Sequence, residues 1–312
     1  MKEVNNIKVI GIDHGFGNIK TAERCFRSGV TVCEGEPTFK ANLLVYEGQH
    51  YLIGEDHKEF AQDKMRDEDY YILTLAAIAE ELHTSNLTSA QVHIAAGLPL
   101  TWVSGQKDAF REYLTRNYHA AFAFRGVEYH ITIVGASVFP QGFSAVADRL
   151  QEFKNVNMLC DIGNGTMNIM FINDGRPDPA RCWTEKYGVQ KCVLDVREKI
   201  LQKFGVTLDD TIIEDVLRHG EAELSQRYLK VIQQTAREYA AKIMRKLRER
   251  EYDEESVRLY IVGGGGCLIR HFGEYDEQRV TINPDICATA KGYETLAAYR
   301  LRREHERGGG VV

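Results

Sequence analysis

Two aspartates in this chain begin the same short pattern: Asp13-His14-Gly15-Phe16-Gly17-Asn18 and Asp161-Ile162-Gly163-Asn164-Gly165-Thr166. Each follows an apolar run, IKVIGI at 7–12 and VNMLC at 156–160. Glycines let a backbone approach a ligand closely and turn successive N–H groups one way, which makes a nest for an anion. Asn18 and Thr166 add polar side chains. Lys20 adds a compact positive charge two residues farther along, on the same strand face as Asn18. A carboxylate beside such a nest implies an intervening cation. Mg²⁺ suits, because it keeps most of its waters and takes one or two carboxylates, so Asp13 and Asp161 are the candidate metal contacts and would orient an attacking water.

One such pattern alone describes an ordinary hairpin. Two of them, with Lys20 and the run Gly263-Gly264-Gly265-Gly266, describe a site for a nucleoside phosphate, the glycine run letting the nucleoside lie against backbone. The repeat also implies a pseudo-symmetric chain whose two related lobes each present one turn toward a common cleft. Other nucleotide motifs fail: there is no G-x-x-x-x-G-K-[ST], and GFGNIK lacks the third glycine and the helix of a dinucleotide-binding turn. His14 is expected to be solvated or hydrogen-bonded rather than a ligand.

The elements that must position these residues follow from periodicity. Residues 7–12 read as a central strand, and NIKTAERCF continues without a helical period, so the first motif joins strand to strand. A hairpin is expected around Glu47-Gly48, a helix over 69–82, a second helix from a Ser104 cap through Leu114, and β structure over 124–134. The segment 156–173 repeats the strand, turn, strand arrangement. Helical stripes then run from Val189 to a stop at Gly205, to a second stop near Gly220, and over 221–251. Residues 257–270 read as a strand entering the four glycines, 285–303 as a closing helix, and 301–312 as a flexible tail.

The chain has 312 residues, enough for two lobes, with 44% hydrophobic and 27% charged residues. No run approaches a membrane span and the start lacks a signal-peptide core, so a cytoplasmic protein without membrane contact is expected. Seven cysteines without a C-x-x-C spacing suggest neither zinc nor a disulfide framework. A net charge of −6 argues against direct DNA binding, and any nucleic-acid role would fall to an adaptor.

The two turns, the connecting VGASVFPQGFSAV (134–146), YIVGGGG and ATAKGYE follow one another in the order of the actin-like ATPases. More closely, GIDHGFGNIKT, EDYYILTLAAIAEEL, AAGLPLTWV, CDIGNGTMNI and VGGGGCLI resemble the plasmid-segregation ParM/StbA family, in its divergent Firmicutes-type members. The resemblance covers about residues 7–300. It implies an α/β fold of two duplicated ribonuclease H-like domains with a nucleotide cleft between the lobes: domain I over 1–155, with an insert near 34–130, and domain II over 156–300. It also implies an ATPase, using ATP or GTP with Mg²⁺, that assembles into filaments and moves plasmids through a small DNA-binding adaptor on a centromere-like site. By position, Asp13, Gly15, Phe16, Gly17, Asn18 and Lys20 match the first phosphate segment, and Asp161, Gly163, Asn164, Gly165 and Thr166 the second. Gly263 to Gly266 match the adenosine segment, and Gly188 the helix start near the nucleoside. One departure stands out. Aligned on Pro140 and Gly142, the position of the family's catalytic glutamate is Ser137, which cannot act as a carboxylate base. Gln141 is the nearby amide that could orient a water, with Asp161 and Asp13 as the remaining catalytic candidates. A sugar or small-acid kinase, a chaperone-like ATPase, or a nucleotide-binding regulator without turnover are the rival readings of the same fold.

Overall fold

The computed structural model describes residues 1–55, 64, 65 and 68–308. In chain order the elements begin β1 (Lys2–Val4), β2 (Ile7–His14), β3 (Asn18–Lys20), β4 (Cys25–Arg27), β5 (Val30–Cys33), β6 (Leu43–Tyr46) and β7 (Gln49–Ile53). They continue α1 (Asp69–Thr84), β8 (Ser89–Leu98), α2 (Leu100–Leu114), β9 (His119–Phe124), β10 (Val127–Pro140) and β11 (Val156–Ile162). The rest are β12 (Met167–Asn173), β13 (Arg176–Glu185), α3 (Val189–Phe204), α4 (Asp210–His219), α5 (Gln226–Glu249), β14 (Arg258–Val262), α6 (Gly266–Phe272), β15 (Val280–Ile282) and α7 (Ala288–Gly308).

The chain divides into two compact units, Met1–Asp148 together with the stretch from Cys287 onward, and Arg149–Ile286. In the first, a mixed sheet runs β4-β3-β2-β8-β10-β9-β6-β7-β5, with β1 paired to β2. Its centre, β2-β8-β10, is parallel and covered on both faces, which is why β2 and β8 are nearly unbroken apolar runs. Alternation along those strands sorts the faces. Ile10, Ile12, Ile94 and Ala96 pack with α1 and α2, whereas Val9 and Ala95 pack with Tyr293, Ala297 and Ala298 of α7. The second unit holds the sheet β13-β12-β11-β14-β15, with Met158, Cys160 and Ile162 of β11 in one core with residues of α3, α4, α5 and α6.

Several expectations change. The second domain expected to reach residue 300 had an approximate end, because a C-terminal helix in such two-lobed proteins can pack back on the first lobe, and the closing helix does lie with the first unit. Three glycines explain the fit: a Cβ on Gly11 would lie 2.0 Å from the Ala290 carbonyl oxygen, on Gly97 2.0 Å from Tyr293 Oη, and on Gly292 1.8 Å from the Ser144 carbonyl oxygen. Nothing larger than glycine permits that approach. The same helix continues to Gly308, so the expected tail is helical to that point, and 309–312 lie outside the described residues. The insert expected over 34–130 is not separate either, because β8 lies between β2 and β10 at the centre of the sheet. Helix α2 begins at Leu100 directly after Pro99, whose carbonyl accepts from the Trp102 and Val103 N–H groups, and Ser104 lies inside the helix rather than at its cap. Helix α5 starts at Gln226, leaving 221–225 outside it. The segment 124–134 is a strand end, a turn and a strand start: Arg125 and Gly126 have φ of 51° and 77°, the two-residue turn that suits strand twist. Glu47-Gly48, expected to turn a hairpin, does so with φ of 50° and 77°.

Candidate functional site: two glycine turns

The first turn is built on β2 and β3. Register places Asp13 opposite Lys20, and Lys20 Nζ lies 3.5 Å from Asp13 Oδ2. Gln141, just past β10, donates from Nε2 to Asp13 Oδ1 at 3.2 Å. Asp13 is therefore a buried carboxylate with an ammonium on one oxygen and an amide on the other. The turn itself is tight: the Gly15 N–H donates to the Asp13 carbonyl at 3.0 Å, and a Cβ on Gly15 would stand 2.5 Å from the Asn18 carbonyl oxygen. The Ser28 hydroxyl and N–H close it from β4's side, donating to the Phe16 and Gly17 carbonyls. Phe16 is buried, while Asn18 and Lys20 are half-buried on one strand face with Ile19 turned inward between them.

His14 is not solvated. It is fully buried, its Nε2 lies 2.8 Å from Thr74 Oγ1, and its ring meets the Tyr70 and Phe110 rings edge-on. Burial, aided by the Lys64 charge, holds its pKa down at about 3, so the imidazole is neutral. Lys64 is the residue that sequence reasoning missed. Its Nζ donates to the His14 carbonyl at 2.5 Å, yet a lysine in the run AQDKMRDEDY reads as part of a solvated charged face.

Ser137, at the position where the resemblance expects an acid, has the His93 ring beside its hydroxyl. It points to the sheet face with His93, whose Nε2 lies 2.9 Å from Ser137 Oγ, and both side chains are buried. Gln141, four residues later, is the group that the strand end delivers to Asp13.

The second turn joins β11 to β12. Asp161 sits opposite Asn168 and beside Val262 of β14, and the Gly163 N–H donates to the Thr166 carbonyl at 2.8 Å. Gly188 caps α3 against it. A Cβ there would be 2.1 Å from the Asn164 carbonyl oxygen, and the Val189 and Gln190 N–H groups donate to the Gly163 and Asn164 carbonyls. Tyr239 of α5 fixes the join by donating its hydroxyl to the Gly188 carbonyl at 2.8 Å. The turn's own carbonyls are thus turned toward α3.

The four glycines after β14 divide their tasks. Gly263 has φ of 85°, and a Cβ on it would lie 2.5 Å from Asp161 Oδ1. A Cβ on Gly265 would lie 2.2 Å from Ile162 Cγ2, and one on Gly266 3.1 Å from Ile282 Cγ2. Only at Gly264 would a Cβ meet nothing within 4 Å, so Gly263 and Gly265 serve close packing against the second turn and Gly264 presents open backbone. Asp13, Gln141, Lys20 and the first turn thus come together in one unit, and Asp161, Gly163 to Thr166, Gly188 and the glycine run in the other.

No group of three or more His, Cys, Asp or Glu side chains among the described residues is arranged to hold a metal. One carboxylate per turn fits an ion retained through its own waters better than one caged by protein.

Two family models match the chain, actin-like proteins N-terminal domain over residues 11–143 and archaeal actin homologue MreB-like C-terminal over residues 159–274. The chain belongs to the actin-like proteins, and its fold is the two-domain actin-like fold. Among solved structures it is similar to Ta0583, an archaeal actin homolog, in complex with ADP, with a TM-score of 0.77 and 21% identity over 94% of this chain and 100% of that one. It is similar to Bacillus thuringiensis ParM with ATP, with a TM-score of 0.71 and 14% identity over 95% and 100%. The Alp12 filament structure gives a TM-score of 0.67 and 14% identity over 95% and 100%. Among curated protein sequences none is a match. No helix among the described residues is long and apolar enough to cross a membrane.

Proposed function

We propose that the chain is a nucleotide-dependent, filament-forming ATPase that moves plasmid DNA through a small DNA-binding adaptor in the cytoplasm. The observation that carries the reading is the pair of Asp-x-Gly-x-Gly turns, each closed by backbone hydrogen bonds at the end of a central strand. The fold in which they sit is also that of structures holding ADP and ATP. In this reading the N–H groups of the first turn past Gly15, whose own N–H is held by the Asp13 carbonyl, take phosphate oxygens from Phe16 through Gly17 to Asn18, with Lys20 adding charge. Asn164, Gly165 and Thr166 do the same in the second turn, where the Gly163 N–H closes the turn on the Thr166 carbonyl. Gly188 and the Gly263–Gly266 run border the nucleoside. Mg²⁺, when bound, would neutralise phosphate charge, with Asp13 and Asp161 as the residues facing its waters. Asp161 and Gln141 orient the attacking water. Gln141 is an amide and accepts no proton, so its part is geometric, and turnover is expected to be slow.

Filament formation is supported by the likeness to a protein solved as a filament. The adaptor is supported by the ParM likeness together with the net charge of −6, which disfavours direct binding to DNA. Sedimentation and electron microscopy with Mg-ATP test the reading. Assembly should begin above a critical concentration, through a head-to-tail contact that does not close, and reverse as ATP is consumed. Protein that stays monomeric with ATP and with a non-hydrolysable analogue at high concentration refutes it.

A further inference from the structure

Lys64 is 1% exposed, which is unusual for a side chain whose charge must then be removed from water. A residue that only filled this space would be apolar. Instead its ammonium donates to the carbonyl of His14, inside the first turn, and lies 5.5 Å from the Phe16 ring centroid and 5.6 Å from that of Tyr70. The faces of aromatic rings hold a cation in place without neutralising it. Burial lowers the Lys64 pKa to about 8, with the Asp13 carboxylate acting in the opposite direction, so the side chain is still largely protonated at neutral pH.

Lys64 is a second cation at the turn beside Lys20, whose Nζ lies 3.5 Å from Asp13 Oδ2. Hydrogen-bonding also orients the turn, because the His14 carbonyl is drawn toward Lys64 and the peptide that follows, with the Gly15 N–H, is fixed relative to it.

We propose that Lys64 is a positioning residue for the polyphosphate of the nucleotide, pinning the His14 carbonyl from within the core and so holding the first turn in the shape that phosphate meets. The inference rests on the nucleotide reading of the two turns. It implies that discrimination between nucleotide and nucleoside depends on a lysine outside both glycine motifs.

Lys64→Met keeps the length of the side chain and removes the charge. Calorimetry of the full chain with Mg-ATP, Mg-ADP and adenosine, alongside thermal unfolding, reads the effect. The expected result is graded by ligand charge: a loss of about tenfold for ATP, the scale of one charge pair at a protein's effective dielectric, less for ADP, and adenosine unchanged. The melting temperature should stay near the parent's, since removal of a buried charge is set against loss of the hydrogen bond to the His14 carbonyl. Equal losses for ATP and adenosine in a folded variant mark a purely structural lysine and overturn the proposal, as does an unchanged ATP affinity. Lys64→Gln is read in the same way, and failure of both variants to fold also overturns it. Wild-type protein that binds no ATP refutes the reading of the turns themselves, whereas wild-type binding that survives intact in Lys64→Met refutes the role of Lys64 alone.

Discussion

The Ser137–His93 pair permits a sharp test of how the β8–β10 face is built. If His93 is buried and neutral, as its 8% exposure and its contact with Ser137 imply, it should add its own share to the acid sensitivity of the first unit. Burial, and then the charge of Arg300, lower its pKa from the ordinary 6.5 to about 4. The unfolded chain therefore binds a proton below pH 6.5 that the folded chain refuses until about pH 4, so stability falls as pH falls across that window. Fully expressed, the difference is about 3 kcal/mol, and at pH 5, where only the unfolded state is protonated, roughly 2 kcal/mol. His93→Gln keeps a donor toward Ser137 and cannot titrate. Urea unfolding at pH 7.5 and pH 5.0 should show the variant losing about 2 kcal/mol less than the parent on acidification. His14, held near 3, and Glu294, raised to about 7, titrate in both proteins and drop out of the comparison. A Trp183→Phe background leaves Trp102 of α2 as the sole tryptophan, so the signal reports the first unit. Identical acid sensitivity in the two proteins would refute a neutral, buried His93.

Two further outcomes follow from the second turn. Asp161→Ala is expected to bind nucleotide and hydrolyse it poorly, because positioning a water stabilises the transition state more than the ground state; unchanged turnover in a phosphate-release assay removes Asp161 from that role. Gly265→Ala should destabilise the second unit by about 1–3 kcal/mol through overpacking against Ile162, whereas Gly264→Ala, with open space at its Cβ, should stay within roughly 0.5 kcal/mol of the parent; thermal unfolding of both checks the assignment.

Local chemistry made the two turns legible. The pattern of aspartate, glycine and polar residue depends on backbone freedom over a few positions, and a strand before each is read from apolar runs that any central parallel strand must have. Helix ends at Gly205 and Gly220 were legible for the same reason, since a left-handed φ of 69° or 84° after the last helical turn favours glycine. Asp13, Lys20 and Asp161 stand out as candidates because their spacing from the glycines is itself the signal. Gln141 came from motif order, and its hydrogen bond to Asp13 depends on where β10 ends in the folded sheet.

What the tertiary structure decided involves residues far apart in the chain. Gly11, Gly97 and Gly292 lie in a strand, a strand and a helix where local propensity gives no reason for glycine, and only the packing of α7 against the first sheet supplies one. That packing also returns the end of the chain to the first unit, which no boundary in composition announces. The contact of Ser137 with His93 depends on the pairing of β8 with β10 and on strand alternation. Lys64 shows the same limit most clearly. A lysine among charged neighbours has the pattern of a solvated surface, and only the fold, by bringing it within hydrogen-bonding distance of His14, makes it a buried cation beneath a glycine turn. Periodicity and turn chemistry act over neighbouring residues, whereas burial and electrostatic surroundings are set by contacts between segments that sequence order does not place side by side.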